Sequence, residues 1–394
     1  MGEELKPDTK LVTGGRRKEW RGKLVSAPVD RGSTILFDDV AELYSARPGL
    51  GQYYYGLQGW PTQWALAEAL TGLEPGAAGT ALVETGLAAV TGALTAVLSA
   101  GDELLMVDSV YGPTRKFCDE TLSRFGVTTR YYDPLLGPDE LETLLSGKTR
   151  AIFLESPGSH TFEVQDVPGI CGIAKRRGVA TILDNTWATP LLFPAIQHGV
   201  DISVQALSKY VGGHSDLLLG SITANAEWYD RVQETVWQFG HAAAPDDAWL
   251  TSRGLRTLAV RLKRHEASGL KVAGWLSQQQ KVARVLHPAF QSCPGHEFWK
   301  RDFKGSAGLF AFALDGGTPE ARDRLIDSLQ LFGIGYSWGG FESLAIPVDP
   351  QRYRSATKWE AEGPMVRLQI GLEDADDLIA DLDAGLARFA EARG

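Results

Sequence analysis

Ser203-Val204-Gln205-Ala206-Leu207-Ser208-Lys209-Tyr210-Val211-Gly212-Gly213-His214-Ser215-Asp216 is the stretch from which the rest of the chain can be read. It sets a lysine just past a short apolar strand, next to a small hydroxyl residue and ahead of a glycine-rich turn. Such a lysine can reach into a cleft at the edge of a sheet, while Ser208 meets a phosphate. A buried lysine loses its proton readily, and the neutral amine can form a Schiff base with an aldehyde. Taken alone, one lysine is far more often a surface charge, so the reading depends on its surroundings.

Upstream, Ile182-Leu183-Asp184-Asn185-Thr186-Trp187 puts an acid at the end of an apolar strand, where open α/β sheets bind ligands. A carboxylate there can keep a pyridine nitrogen protonated and make the ring an electron sink for charge on a substrate Cα. The same residue could also cap a helix or turn. Further back, Thr80-Ala81-Leu82-Val83-Glu84-Thr85-Gly86-Leu87-Ala88-Ala89 is a strand turning through Gly86 into an Ala/Leu-rich helix. The free N–H groups at that helix start, with its positive dipole end, suit a phosphate, although a glycine before a helix is commonplace. In Asp108-Ser109-Val110-Tyr111-Gly112-Pro113 an aromatic follows a strand, placed to stack on a ring or simply to pack. Downstream come Tyr336-Ser337-Trp338-Gly339-Gly340-Phe341-Glu342-Ser343-Leu344 and Arg367, inside the apolar run Val366 to Ile370. A guanidinium in such a strand needs a partner, either a substrate carboxylate or an internal acid.

The chain between these motifs alternates short apolar runs with amphipathic segments, the pattern of an α/β sheet wrapped by helices. Strands are expected at Gly79–Val83, Glu103–Val107, Thr128–Tyr132, Ala151–Leu154, Ala180–Leu183, Ile202–Gln205 and Leu217–Ile222. From Asp246 to Gln280 one long helical stretch is expected, then strands at Gly308–Leu314 and Val366–Ile370 and a closing helix, Asp374–Glu391. The first fifty residues carry no strong helix or strand signal. Residues 1–55 therefore read as an arm that reaches a neighbouring subunit, 56–245 as a large cofactor-binding domain and 246–394 as a smaller α+β domain.

With 394 residues, 44% of them hydrophobic, the chain can bury more than one core, since single cores stop growing at roughly 250–300 residues. The net charge of -10 is interleaved along the sequence without a basic tract, which argues against nucleic acid as a partner. A polar, charged start and the absence of any run approaching ~20 apolar residues argue against a leader or membrane span and for a cytoplasmic protein. Cys118, Cys171 and Cys293 are few, scattered and odd in number, as buried reduced thiols rather than disulfides or a zinc site.

Taken together, Leu-Glu-Ser-Pro-Gly-Ser, Leu-Asp-Asn-Thr-Trp-Ala, Ser-Lys-Tyr-x-x-Gly-His-Ser-Asp and Tyr-Ser-Trp-Gly-Gly-Phe-Glu-Ser-Leu, in that order along the chain, resemble the cystathionine β-lyase branch of the Cys/Met-metabolism pyridoxal 5'-phosphate (PLP) enzymes. The resemblance runs over nearly the whole chain. It implies the aspartate-aminotransferase-like type I PLP fold: a mostly parallel central sheet with helices on both faces, plus a smaller α+β C-terminal domain. It also implies a homotetramer built from dimers that share active sites. By the same resemblance Lys209 is the Schiff-base lysine and proton carrier, Asp184 holds the ring nitrogen, and Tyr111 stacks on the ring. Gly86, Leu87 and Ser208 bind phosphate, Tyr55 reaches it from the neighbouring subunit, and Ser337, Trp338 and Arg367 form the substrate-carboxylate side. The implied chemistry is Cα deprotonation of an amino acid by Lys209 followed by expulsion of a leaving group; cystathionine would give homocysteine, pyruvate and ammonia.

Two departures from the family pattern bear on the substrate. Relatives carry Tyr-Gly-Arg-Arg-Gly-Thr-Pro-Thr, where this chain reads Tyr55-Gly56-Leu57-Gln58-Gly59-Trp60-Pro61-Thr62. The family's arginine pair attracts the distal carboxylate of cystathionine, and each charged hydrogen bond of that kind contributes about 1.5–3 kcal/mol. In the phosphate turn, Val83-Glu84-Thr85-Gly86 replaces a pattern like Thr-Pro-Ser-Gly. Glu84 either turns to solvent, pairs with an arginine, or joins the lost arginines in favouring a substrate whose far end is neutral or cationic. Three activities are therefore expected in competition: a β- or γ-eliminating lyase retuned to such a substrate, for example canavanine; an ordinary cystathionine β-lyase; and an amino-acid racemase.

Overall fold

The apolar runs become a seven-stranded sheet. Its strands are β1 (Gly79–Val83), β2 (Glu103–Val107), β3 (Thr128–Tyr132), β4 (Thr149–Glu155), β5 (Ala180–Asp184), β6 (Ile202–Ala206) and β7 (Gly220–Ala224), in the spatial order β1-β7-β6-β5-β4-β2-β3. Pairing is parallel from β6 across to β3; β7 alone runs antiparallel to both its neighbours, β1 and β6. Ile152, Phe153, Leu154, Ile182, Leu183 and Ile202 are each 0% exposed. That is why these strands read as continuous apolar runs rather than alternating ones: helices cover both faces of a parallel sheet. The computed structural model describes residues 5–360 and 362–393, so the first four residues of the expected arm lie outside the described residues.

A second, antiparallel sheet of four strands is ordered β10-β11-β9-β8, with β8 Val282–Leu286, β9 Leu309–Leu314, β10 Leu344–Val348 and β11 Met365–Gln369. Period-two alternation divides it between two cores. Leu309, Ala311 and Ala313 of β9 join the core that surrounds the large sheet. Phe310, Phe312 and Leu314 face the helices Pro319–Ser328 and Ala375–Ala392 on the other side. The small sheet is thereby welded to the large one rather than hung from a linker.

Several expectations need correcting. The seventh strand begins at Gly220, not Leu217, because residues 213–218 form the turn that follows Lys209. The single helix expected over Asp246–Gln280 is two helices, Pro245–Arg256 and Leu258–Leu276, broken at Thr257. The buried Arg261 guanidinium takes the Gly254 carbonyl at 2.8 Å, together with those of Tyr210 and Val211 at 2.6 and 3.1 Å. An arginine is thus spent on joining the helix break to the segment after Lys209. Strands β8 and β10 were not anticipated. The arm does contain short helices, Pro7–Thr13, Lys18–Arg21 and Val40–Ser45; the first is pinned through the buried Leu11. Cys118, Cys171 and Cys293 are free and buried, as expected. No helix among the described residues is long and apolar enough to cross a membrane.

One buried acid lies under the sheet away from the cleft. Glu74 is 2% exposed and accepts the Ile196 amide and the Ser203 hydroxyl, both at 3.3 Å. Burial dominates over these bonds and pushes its carboxyl from an ordinary 4.5 up to about 8. Because the folded value lies above the unfolded one, the stability it confers is full below about pH 4.5 and is lost as pH rises through 8. A glutamine can still accept from Ile196 and can turn an N–H toward Ser203 and Asn185, whose buried Oδ1 has no donor. Glu74→Gln should therefore raise the melting temperature at pH 8 and flatten its decline between pH 5 and 8. Calorimetry at several pH values checks this; an unchanged slope would assign the pH dependence elsewhere.

Candidate active site

The C-terminal ends of β4, β5 and β6 deliver Glu155, Asp184 and the Ser208-Lys209 turn to one edge of the sheet. Asp184 is oriented by its neighbour: the Thr186 amide and hydroxyl both bond Oδ1, at 3.0 and 2.6 Å, and among the described residues Oδ2 has no donor. Burial raises the Asp184 carboxyl; the Thr186 bonds and the Lys209 charge pull it back. Its free oxygen can meet a protonated ring nitrogen.

Lys209 is half-buried, and its Nζ donates to Ser337 Oγ at 2.7 Å. Burial first, and the nearby Arg367 charge second, push its amine down from 10.5 to about 8, against an opposing pull from Asp184. The segment after Ser337 lies hard against the lysine backbone. A Cβ on Gly339, whose φ is +81°, would come within 2.7 Å of the Tyr210 nitrogen, so only glycine fits that crossing. The crossing sets the Trp338 ring 5.5 Å from Lys209 Nζ.

Arg367, in β11, is 8% exposed, donates from Nη2 to the Ser337 carbonyl at 2.9 Å, and leaves Nε buried without a partner. Among the described residues it forms no salt bridge. The internal-pair alternative is therefore not realised, and a planar guanidinium edge is left available for a carboxylate. Burial brings it down to about 10, still charged at neutral pH.

The phosphate turn falls beside the lysine. Thr85 caps the helix Gly86–Val97 by accepting the Ala88 amide at 3.0 Å, and among the described residues the amides of Gly86 and Leu87 have no acceptor. A Cβ on Gly86 would lie 2.4 Å from that of Ala206, so the helix start packs against the end of β6, two residues before Ser208. Tyr111 is 47% exposed, and its electrostatic neighbours are Glu155, Asp184 and Arg367. A buried carboxylate-bearing floor, a lysine, an aromatic side wall, free helix amides and an unpartnered guanidinium together fit a phosphorylated pyridine aldehyde with an amino acid.

Not every expected residue joins them. Among the described residues no hydrogen bond, ion pair or ring contact links Tyr55, Leu57, Gln58 or Trp60 to Lys209, Asp184 or Arg367. Tyr55 is 53% exposed, Trp60 donates to the Gly32 carbonyl at 3.1 Å, and the Gln58 carbonyl accepts from Trp64 at 2.9 Å. Glu84 faces neither an arginine nor the phosphate turn: it binds His241 Nδ1 and the Ala242 amide, each at 2.8 Å. Burial raises its carboxyl, but these bonds outweigh it and leave the group below its ordinary value.

Three residues went unnoticed in the sequence. Thr186 sat inside a quoted motif. Glu155 ends an apolar strand just as Asp184 does, which was the available signal. Asp108, with no exposed side-chain surface, accepts the amides of Ser355, Ala356 and Thr357 at 2.8–3.2 Å and pairs with Arg115 at 2.6 Å. It fastens the loop between β10 and β11 beside Tyr111, and its signal was the same, an acid just past the apolar strand β2.

Residues 8–387 match the family of Cys/Met metabolism PLP-dependent enzymes. The chain is 44% identical to the cystathionine β-lyase of Escherichia coli over 396 residues, 98% of this chain and 99% of that one. It is 37% identical to an L-alanine/L-glutamate racemase of Wolbachia pipientis over 400 residues, 98% of each. Among solved structures, that of metB from Corynebacterium glutamicum superposes with a TM-score of 0.89 at 27% identity, covering 97% of this chain and 98% of that one.

The lysine's lowered pKa gives the first kinetic expectation. Attack on an aldehyde needs the neutral amine, so the rate at which apoprotein takes up pyridoxal 5'-phosphate should climb with pH, bend near pH 8 and level above it. Stopped-flow absorbance would measure this. A bend at pH 10 or higher would mean that the cleft does not perturb Lys209.

Proposed function

The chain belongs to the Cys/Met metabolism PLP-dependent enzymes and is a PLP-dependent lyase of cystathionine β-lyase type; on that footing we propose that it eliminates a leaving group from an amino acid whose far end is neutral or cationic, canavanine being the test case. When bound, the cofactor supplies an aldehyde for covalent attachment and a ring that accepts electron density from the substrate Cα. The protein's own groups do the rest. Arg367, with Ser337 and Trp338, fixes the substrate carboxylate. This orients the Cα–H toward Lys209 Nζ, the base that takes the proton. Asp184 keeps the ring nitrogen protonated, Tyr111 covers the ring, and Gly86, Leu87 and Ser208 hold the phosphate. Tyr55, Leu57, Gln58 and Trp60 act in the neighbouring subunit's cleft, in a homotetramer assembled from dimers. The three free thiols suit a cytoplasmic protein.

The observation that carries the reading is the buried Arg367 guanidinium, unpaired with any acid and reached through Ser337 from the half-buried Lys209. It supports an amino-acid carboxylate held beside a proton-transferring amine. The preference for a substrate without a distal carboxylate rests on Leu57 and Gln58 in place of a family arginine pair. Glu84, engaged by His241, adds nothing to that preference. A second reading, ordinary cystathionine β-lyase, is favoured by the 44% identity with the Escherichia coli enzyme.

Purified enzyme should be incubated with cystathionine, canavanine, methionine and alanine, with ketoacid detection and chiral analysis of each mixture. The proposal expects ketoacid from canavanine or methionine and a low rate with cystathionine. Fast pyruvate release from cystathionine would establish the second reading instead, and D-alanine without ketoacid would make the protein a racemase. Leu57→Arg with Gln58→Arg should raise kcat/KM for cystathionine by more than about tenfold, the size of one charged hydrogen bond. Size-exclusion chromatography with light scattering checks the tetramer.

A further inference from the structure

The site holds an acid to which the proposed chemistry gives no task. Glu155 is the register partner of Asp184 on the adjacent parallel strand, so their side chains leave the same face of the sheet from backbones about 4.8 Å apart. Its Oε2 accepts the backbone amide of Tyr111 at 2.7 Å. Among the described residues no lysine, arginine or histidine forms an ion pair with either carboxyl group.

Two like charges that close in a buried place do not both persist; one takes a proton. The surroundings decide which. Asp184 receives two bonds from Thr186 on one oxygen and lies within reach of the Lys209 charge. Among the described residues Glu155 has a single donor, the Tyr111 amide, and it is 9% exposed. Tyr111 feels the charge of both carboxyl groups and of Arg367, and the buried His160 feels that of Arg367 in turn. The proton therefore settles on Glu155, where burial first and the Asp184 charge second hold the carboxyl well above its usual range.

We propose that Glu155 is a positioning residue of the active site: uncharged, it anchors the Tyr111 turn through the backbone amide and leaves Asp184 as the single negative charge under the cleft. The inference deepens the proposed function and rests on it for the meaning of the Tyr111 and Asp184 positions. Were Glu155 ionised, the floor would carry two charges and the Tyr111 turn would be tied to a group that repels Asp184. As an acid it can accept from Tyr111 without that penalty, and it can be replaced by its neutral isostere.

That replaceability is the test. Infrared difference spectra of wild type against Glu155→Gln, recorded on both apoprotein and holoenzyme at neutral pH, should contain the stretch of a protonated carboxyl that the variant lacks. Glu155→Gln should keep the dissociation constant for pyridoxal 5'-phosphate, read by fluorescence titration, within about threefold of wild type. Its pH profile should also be unchanged, because charge and hydrogen-bond capacity are preserved. Glu155→Ala leaves the Tyr111 amide without its acceptor and should weaken cofactor binding by about tenfold or more, with a changed circular-dichroism band of the bound ring. Absence of the carboxyl stretch from wild type would overturn the proposal, as would Glu155→Gln losing cofactor as severely as Glu155→Ala, or Glu155→Ala binding like wild type. If no form of the protein bound the cofactor, the proposed function would fail, and with it the positioning role. The apoprotein spectrum would still report the charge state separately.

Discussion

Two cations share one half-buried cleft, and the neighbouring groups are arranged so that only one of them can give way. Arg367 keeps its proton at any physiological pH because a guanidinium is so weakly acidic, even when burial brings it down to about 10. Lys209 therefore absorbs the cost of burial and repulsion, and its amine falls to about 8. A neutral amine at ordinary pH is what covalent attachment and proton transfer from carbon both require. Asp184 limits the fall, since its charge favours the protonated amine. After burial, Lys209 thus owes its lowered pKa to a residue about 160 positions downstream, in the other sheet.

That dependence explains why the two sheets are packed into a common core. Ser337 accepts from Lys209 with its hydroxyl and from Arg367 with its carbonyl, so one residue holds both cations. The Gly339 crossing fixes that residue against the lysine backbone, and Arg261 ties the same backbone to the break between the two helices. Asp108 clamps the loop between β10 and β11 to the segment that carries Tyr111. Displacing the small sheet by an ångström would separate Ser337 from Lys209. Lys209 would then lose the arginine's influence along with its partner, and positional errors of that size are costly to catalysis.

The central strands β2, β4 and β5 were legible because they are buried and largely apolar, and β1 to β6 fall within two residues of the expected bounds, the edge strand β3 included although its Thr128 and Arg130 are exposed. The strands that were missed lack that signature. In β8, Val282 to Arg284 stay partly or fully exposed and interrupt the apolar run. In β10 an exposed Pro347 argues against a strand, and it is tolerated because β10 lies at the sheet edge. The long helical texture after Pro245 hid a break because the cause, the Arg261 bonds to distant carbonyls, is tertiary. The same division runs through the site. Lys209, Asp184, Gly86 and Arg367 stood out because each violates or punctuates an apolar pattern. Glu155 obeys the rule that exposed Asp184, yet without its partner in register it looks like the last residue of a strand. Glu84 invited a reading from charge alone, and its real partner, His241, is 157 residues away.

Selectivity is the part that a single chain leaves open on one side. Tyr111 and Leu87 remain 47% and 39% exposed at the mouth of the cleft with the described residues of the arm in place. Large apolar groups beside a charged cleft favour being covered. In the proposed assembly the neighbour's Tyr55-to-Trp60 segment does this, bringing a neutral Gln58 and an apolar Leu57 where the family places two cations. The cation left for a substrate carboxylate is then Arg367, proposed above to hold the α-carboxylate common to every amino acid, while Lys209 is engaged by Ser337. A wall built this way reads the substrate's far end by shape and by the absence of attraction. It would accept a cationic or neutral group at little cost, whereas a second carboxylate would have to shed its water with nothing in return.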